Sequence, residues 1–159
     1  MTMDTEWELM VVDNPRILVS EIEAFINEHD KKGVFSTKDK HPVEFRVHFQ
    51  RIIEAGQMVA MYDRHGLCGF CSWVICDGRT KHDINKSKWT LPNDISSGNI
   101  LYIDICILVR DASIFDIKNR LAKMCREKNI DKVFWYDIPH GRVFSSQLKG
   151  EKLCQTAAA

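Results

Sequence analysis

The chain has 159 residues, 45% of them hydrophobic and 28% charged, and Lys+Arg equals Asp+Glu at 22 each. That length suits one domain with a real core, and the charge balance offers no basic excess for nucleic acid or a membrane surface. No apolar run reaches membrane-span length. Met1–Trp7 is acidic and lacks the basic-then-apolar pattern of a signal peptide, so a cytoplasmic protein is expected. In chain order, Asn14–Pro15 predicts the start of a helix, as cap followed by first-turn proline. Its apolar stripe is Leu18, Ile22, Phe25 and Ile26, and Lys31–Lys32–Gly33 ends it. Val34 to Lys40 is a polar connection. Pro42 starts a second helix with Phe45, Phe49, Ile52 and Ile53 on one face, and Gly56 stops it. Gln57–Tyr62 and Leu67–Cys76 predict a hairpin around the turn Asp63–Arg64–His65–Gly66.

Asp77 to Ser97 is a polar excursion containing Trp89 and Pro92. Asn99–Val109 is a long strand, rich in β-branched residues, with Asp104 in its middle. A carboxylate there is costly to bury without a partner, and paired buried acids often belong to sites. Asp111–Ala112–Ser113 caps a third helix, Ser113 and Asp116 having capping-box spacing. Ile117, Leu121, Met124 and Cys125 form its buried stripe, and Asn129 ends it. Lys132–Ile138 and Arg142–Leu148 are the last strands, separated by Pro139–His140–Gly141. Residues 1–156 read as a single domain, and 157–159, three alanines, as a tail or expression scar.

Six cysteines lie inside apolar segments, as in a reduced intracellular protein. Cys68 and Cys71 have zinc-like spacing, but positions three apart on a regular strand face opposite sides. No second Cys/His pair follows at zinc-finger distance. The expectation is no metal.

Two helices, a hairpin, then strand–helix–strand give an α+β fold, with the last unit a right-handed crossover between parallel strands. This order is that of the GNAT acyltransferase fold: three layers, a central mixed β-sheet and helices on both faces. The GNAT phosphate loop, Arg/Gln-x-x-Gly-x-Gly/Ala, is replaced here by Arg110–Asp111–Ala112–Ser113–Ile114–Phe115. A helix N-terminus still offers amides to an anion. However, the glycines that let a pyrophosphate approach are missing, and Asp111 repels it.

Three patches are similar to the toxin-activating lysine acyltransferases of RTX toxin operons, a divergent GNAT branch. The first is Pro42–Val43 and its helix, then Gln57–Met58–Val59–Ala60 and Cys71–Ser72–Trp73. The second is Ser97–Gly98 followed by Tyr102–Ile103–Asp104–Ile105. The third is Arg142–Val143–Phe144–Ser145–Ser146 with Lys149–Gly150. The resemblance implies a catalytic histidine and aspartate at His41 and Asp104, with His48 as the second choice of histidine. It also implies an acyl-carrier protein as fatty-acyl donor, no tightly bound cofactor, and internal lysines of a protoxin as acceptors. A homodimer is compatible with it. Carrier proteins are acidic, which points to the cations of the third helix, Lys118, Arg120 and Lys123, as the docking face.

The chemistry is coherent. Amide formation from a thioester needs a neutral amine, whereas lysine is mostly protonated near neutral pH. Histidine can accept that proton or take the acyl group as a nucleophile, and a carboxylate can orient it. Two other readings remain open. One is a GNAT enzyme using acetyl-coenzyme A on a small amine or protein, and the other is a non-catalytic GNAT-like binding module.

Overall fold

The strands of the chain lie side by side in one sheet, in simple chain order β1 to β7. The computed structural model describes residues 9–29, 42–78, 91–110, 112–137, 142–149 and 152–157. The strands are β1 (Met10–Asp13), β2 (Met58–Asp63), β3 (Gly66–Cys76), β4 (Ile100–Leu108), β5 (Lys132–Asp137), β6 (Arg142–Lys149) and β7 (Lys152–Ala157). Among the described residues the chain forms the helices α1 (Val19–His29), α2 (Pro42–Glu54) and α3 (Ile114–Glu127). Neighbouring strands are antiparallel except β4 and β5, which are parallel. Parallel strands cannot be joined by a tight hairpin, so α3 is the crossover between them, as the strand–helix–strand pattern predicts.

Two ends differ from expectation. Asn14–Pro15 does not open a helix. Asn14 has φ 48 and its N–H donates to the Met58 carbonyl at 3.0 Å, which closes β1 against β2. The helix begins only at Val19. Leu18, expected in the buried stripe, is therefore 64% exposed, and Ile17 is buried in its place. β1 itself escapes a periodicity test because it is four residues long. At the other end β7 pairs with β6 as far as Ala157, the first of the three terminal alanines. Its sequence, KLCQTA, carries no strong strand signal.

Helix ends follow their signals more closely. Gly56, at φ 68, donates to the Ile53 carbonyl while Gln57 N–H reaches Ile52, a Schellman closure of α2. Asn129, at φ 56, closes α3 the same way, with Ile130 N–H reaching Cys125. Ser113 Oγ accepts from Phe115 N–H at 3.2 Å and caps the N-terminus of α3.

The sheet separates two cores. Ile22, Phe25 and Ile26 of α1 and Phe49 and Ile52 of α2 pack on Met58, Phe70, Val74, Tyr102 and Ile105. Ile117, Leu121 and Cys125 of α3 pack on the other face against Val59, Cys71, Trp73 and Leu101. Each such side chain contributes about 1.5–3 kcal/mol on burial. Phe49 and Ile52 therefore fix the rotation of α2 about its axis. Position 48, one turn before Ile52, must then face the sheet.

Candidate active site

The site begins with an irregularity in β4. Ser72 pairs with Ile105 and Trp73 pairs with Ile103, so Asp104 is an extra, bulged residue on β4. A bulge turns two consecutive side chains toward one face. Here Ile105 packs in the α1/α2 core, and Asp104 meets α2 beside it. The parallel pairing of β4 with β5 runs from Ile100↔Lys132 to Ile103↔Trp135 and ends there. Asp104 thus stands where the two strands part.

His48 of α2 completes the pair. Its Nε2 lies 2.6 Å from Asp104 Oδ2, with His48 6% and Asp104 14% exposed. A short bond to a carboxylate on one ring nitrogen fixes the plane and tautomer of the imidazole. The burial of Asp104 is thereby accounted for: the acid in the apolar strand has its partner, 56 positions away in sequence. Of the two candidate histidines, His48 is the one seen against Asp104, whereas His41 lies outside the described residues. What could have found His48 is helical phase, since it shares a face with Ile52 and adjoins Phe49.

The surroundings are held by groups already visible as motifs. Gln57 is buried, and its Nε2 donates to the carbonyls of Trp73 (3.0 Å) and Ile95 (2.8 Å). Its Oε1 accepts from Ser96 Oγ at 2.9 Å. Arg51 of α2 donates to the carbonyls of Pro92 (2.5 Å) and Asn93 (2.9 Å). The segment 91–97 is therefore clamped to both β3 and α2. Gly98 follows at φ 135, where a Cβ would sit 2.1 Å from the Cys76 carbonyl oxygen, so only glycine lets the chain enter β4 this close to β3. Ser72 Oγ, on the Asp104 face, is buried and has no hydrogen-bond partner among the described residues.

In the loop before α3 the Arg110 side chain is already engaged. Arg110, at φ 52, turns back to Asp63 at the end of β2, with Nε–Oδ2 2.7 Å and Nη2–Oδ1 3.2 Å, and also donates to the Leu67 carbonyl at 2.8 Å. The guanidinium holds the Asp63 carboxyl below its ordinary value, and Asp63 raises that of Arg110. The pair was not legible in the sequence, where Asp63 reads only as a turn residue. Ile114 (43%) and Phe115 (71%) are exposed in the first turn of α3. Of the cations on α3, Arg120 bonds Asp13 and the Val11 carbonyl of β1, Lys118 is half-buried and Lys123 is exposed.

Cys68 and Cys71 face the same core, contrary to the strand-parity expectation. Tyr62 pairs with Leu67 and Met61 with Gly69, so Cys68 is itself a bulged residue, and the parity is reset there. Among the described residues no group of three or more His, Cys, Asp or Glu could hold a metal ion. No helix among them is long and apolar enough to cross a membrane.

No family model matches the chain, and no curated protein matches it in sequence. Solved structures do share its fold. A GNAT-family acetyltransferase from Staphylococcus aureus Mu50 superposes with a TM-score of 0.57 at 14% identity, over 82% of this chain and 75% of that one. An N-acetyltransferase from the same organism gives 0.50 at 8% identity, over 80% and 72%. N-acetylglutamate synthase from Neisseria gonorrhoeae, complexed with coenzyme A and N-acetylglutamate, gives 0.52 at 11% identity. This chain covers 27% of that protein, which in turn spans 86% of this one. At such identities the likeness establishes the fold: the chain has the GNAT architecture.

Proposed function

We propose that this protein is an N-acyltransferase in which His48 and Asp104 act together on an amine acceptor. One observation carries the reading: the 2.6 Å His48–Asp104 pair sits at the β4 bulge where β4 and β5 part. Beyond Ile103 the β5-facing edge of β4 has backbone groups outside the strand ladder, among the described residues. An extended, amide-bearing thioester arm can pair with such an edge. His48 then takes the amine proton as it attacks the thioester, and Asp104 stabilises the imidazolium.

The donor we favour is a fatty acyl chain on an acyl-carrier protein, and the acceptor internal lysines of a protein, a protoxin by resemblance to the RTX toxin-activating enzymes. This places the reaction in the cytoplasm, with no tightly held cofactor. Lys118 and Lys123 serve as docking cations, while Arg120 anchors α3 to β1. A carrier protein brings its own protein contacts and does not depend on a glycine-rich phosphate loop. The state of the loop supports this choice, since Arg110 is occupied by Asp63 and two apolar side chains open α3. A second reading, acetyl-coenzyme A as donor, is favoured by the coenzyme A complex of the Neisseria enzyme on the same fold.

The test is intact-mass analysis of a lysine-bearing protoxin incubated with the protein and an acylated carrier, using the parent, Asp104→Asn, His48→Ala and His41→Ala. Acylation by the parent and by His41→Ala, lost in the other two, is the expected pattern. Loss only in His41→Ala would move the base to that residue. Transfer from acetyl-coenzyme A with no carrier present would select the second reading.

A further inference from the structure

Cys71 of β3 and Cys106 of β4 stand directly opposite each other on the α3 face. Their place in the ladder follows from Val109 N–H, which donates to the Cys68 carbonyl at 2.8 Å three positions along. Hydrogen-bonded pairs alternate in an antiparallel ladder, so Cys71/Cys106 is a non-hydrogen-bonded pair, the type with Cα atoms about 4.5 Å apart. That spacing lies within the range a disulfide spans, roughly 4.4–6.8 Å. The two thiols differ in access: Cys71 is fully buried and Cys106 is half-buried.

We propose that Cys71 and Cys106 are a peroxide-reactive dithiol that closes to a cross-strand disulfide. Cys106 is the attacking sulfur. Its thiolate takes one oxygen from hydrogen peroxide, hydroxide leaves, and a sulfenic acid forms. The Cys71 sulfur then attacks that sulfenic sulfur, and the S–S bond forms as water departs with the Cys71 proton. The polarity suits the two groups. The Cys71 thiol hydrogen-bonds to Cys106, which lowers the Cys106 value below that of an ordinary thiol, while Cys71 is pushed well up. Cys125, in the same core, is raised to about 11 by burial and has no such neighbour acting on it. The proposal is independent of the acyl-transfer reading and survives its failure.

The experiment treats the full chain with graded hydrogen peroxide and maps its tryptic peptides without reduction. Residues 65–79 carry Cys68, Cys71 and Cys76, and residues 89–110 carry Cys106. These two peptides should appear linked, two hydrogens lighter than their sum. Cys71→Ser should lose the link and accumulate a dimedone adduct on Cys106, and Cys106→Ser should lose both. In the unmutated folded chain, iodoacetamide should modify Cys106 at least about tenfold faster than Cys125, a reading that needs no variant to fold. A link surviving in Cys71→Ser through Cys68 or Cys76, a sulfenic acid on another cysteine, or Cys125 alkylated as fast as Cys106 would each overturn the proposal.

Discussion

The two halves of β4 obey different rules. From Ile100 to Ile103 the strand is flanked by β3 and β5, and its side chains fill both cores. From Asp104 to Leu108 its ladder among the described residues is with β3, and of these five side chains only that of Ile105 is fully buried. A doubly paired strand is a structural beam, and there Leu101 and Tyr102 serve packing. Where the second partner ends, backbone groups and one carboxylate leave the β4–β5 ladder while β3 still holds the strand in place. The bulge marks the boundary: it ends the regular alternation and aims Asp104 at α2. A rigid element thus supplies both the support and the carboxylate to which the proposed function assigns a role, separated by one residue.

That division can be broken most sharply at Asp104. Asp104→Asn keeps the side-chain shape but removes the charge facing His48, and acyl transfer should fall by about 10²–10⁴. The urea midpoint should shift far less. His48→Ala should fall as far, and the double variant little further, because the two act as a unit. Kinetics and denaturation of the three proteins check this.

Packing should show the opposite pattern. Leu101→Ala, in the doubly paired half and with no exposed surface, should lower stability by about 2–5 kcal/mol. Leu108→Ala, half-buried in the open half, should lower it by under about 2 kcal/mol. Equal losses in chemical denaturation would erase the distinction between the halves.

Gly98→Ala attacks the entry to the beam. Its φ of 135 and the nearby Cys76 carbonyl predict about 1–3 kcal/mol of strain. This should appear as a lower melting temperature even though an alanine removes no contact.

Smaller effects belong to the loop after the open half. The Asp63 value is depressed below its ordinary 3.8 in the folded protein. Its contribution is therefore complete above that value and disappears as the pH falls through the lower, folded one. Acid titration of the urea midpoint should show this slope in the parent and a flatter one in Asp63→Asn. Smallest in stability, Lys118→Glu with Lys123→Glu should leave the melting temperature unchanged. The same pair of changes should weaken carrier binding in a salt-sensitive way, measured by titration at two ionic strengths.

Most of the element order was legible because its signals are local. Gly56 and Asn129 stop helices through their own backbone conformation, Ser113 caps through its own hydroxyl, and the hairpin announces itself by alternation around a polar turn. The parallel pair followed from a helix lying between two strands. β1 and β7 were not legible, being short or polar strands whose stability comes from the neighbour they pair with. Asn14–Pro15 misled for the same reason: the Met58 carbonyl, 44 positions away, decided the conformation of Asn14.

The sequence by itself determined that Asp104, once buried, would need a partner, since an acid among β-branched residues is costly to bury alone. It also placed Gln57 and Gly98 in the patches that are similar to the toxin-activating enzymes. Only the tertiary structure decided which groups answered them. His48 meets Asp104 because the packing of Phe49 and Ile52 sets the phase of α2, and because one bulged residue in β4 turns the carboxylate toward it. Arg110 is spent on Asp63, and Cys71 faces Cys106, for like reasons. Each pairing depends on strand register, which is fixed by the whole sheet and is written in no single segment of the chain.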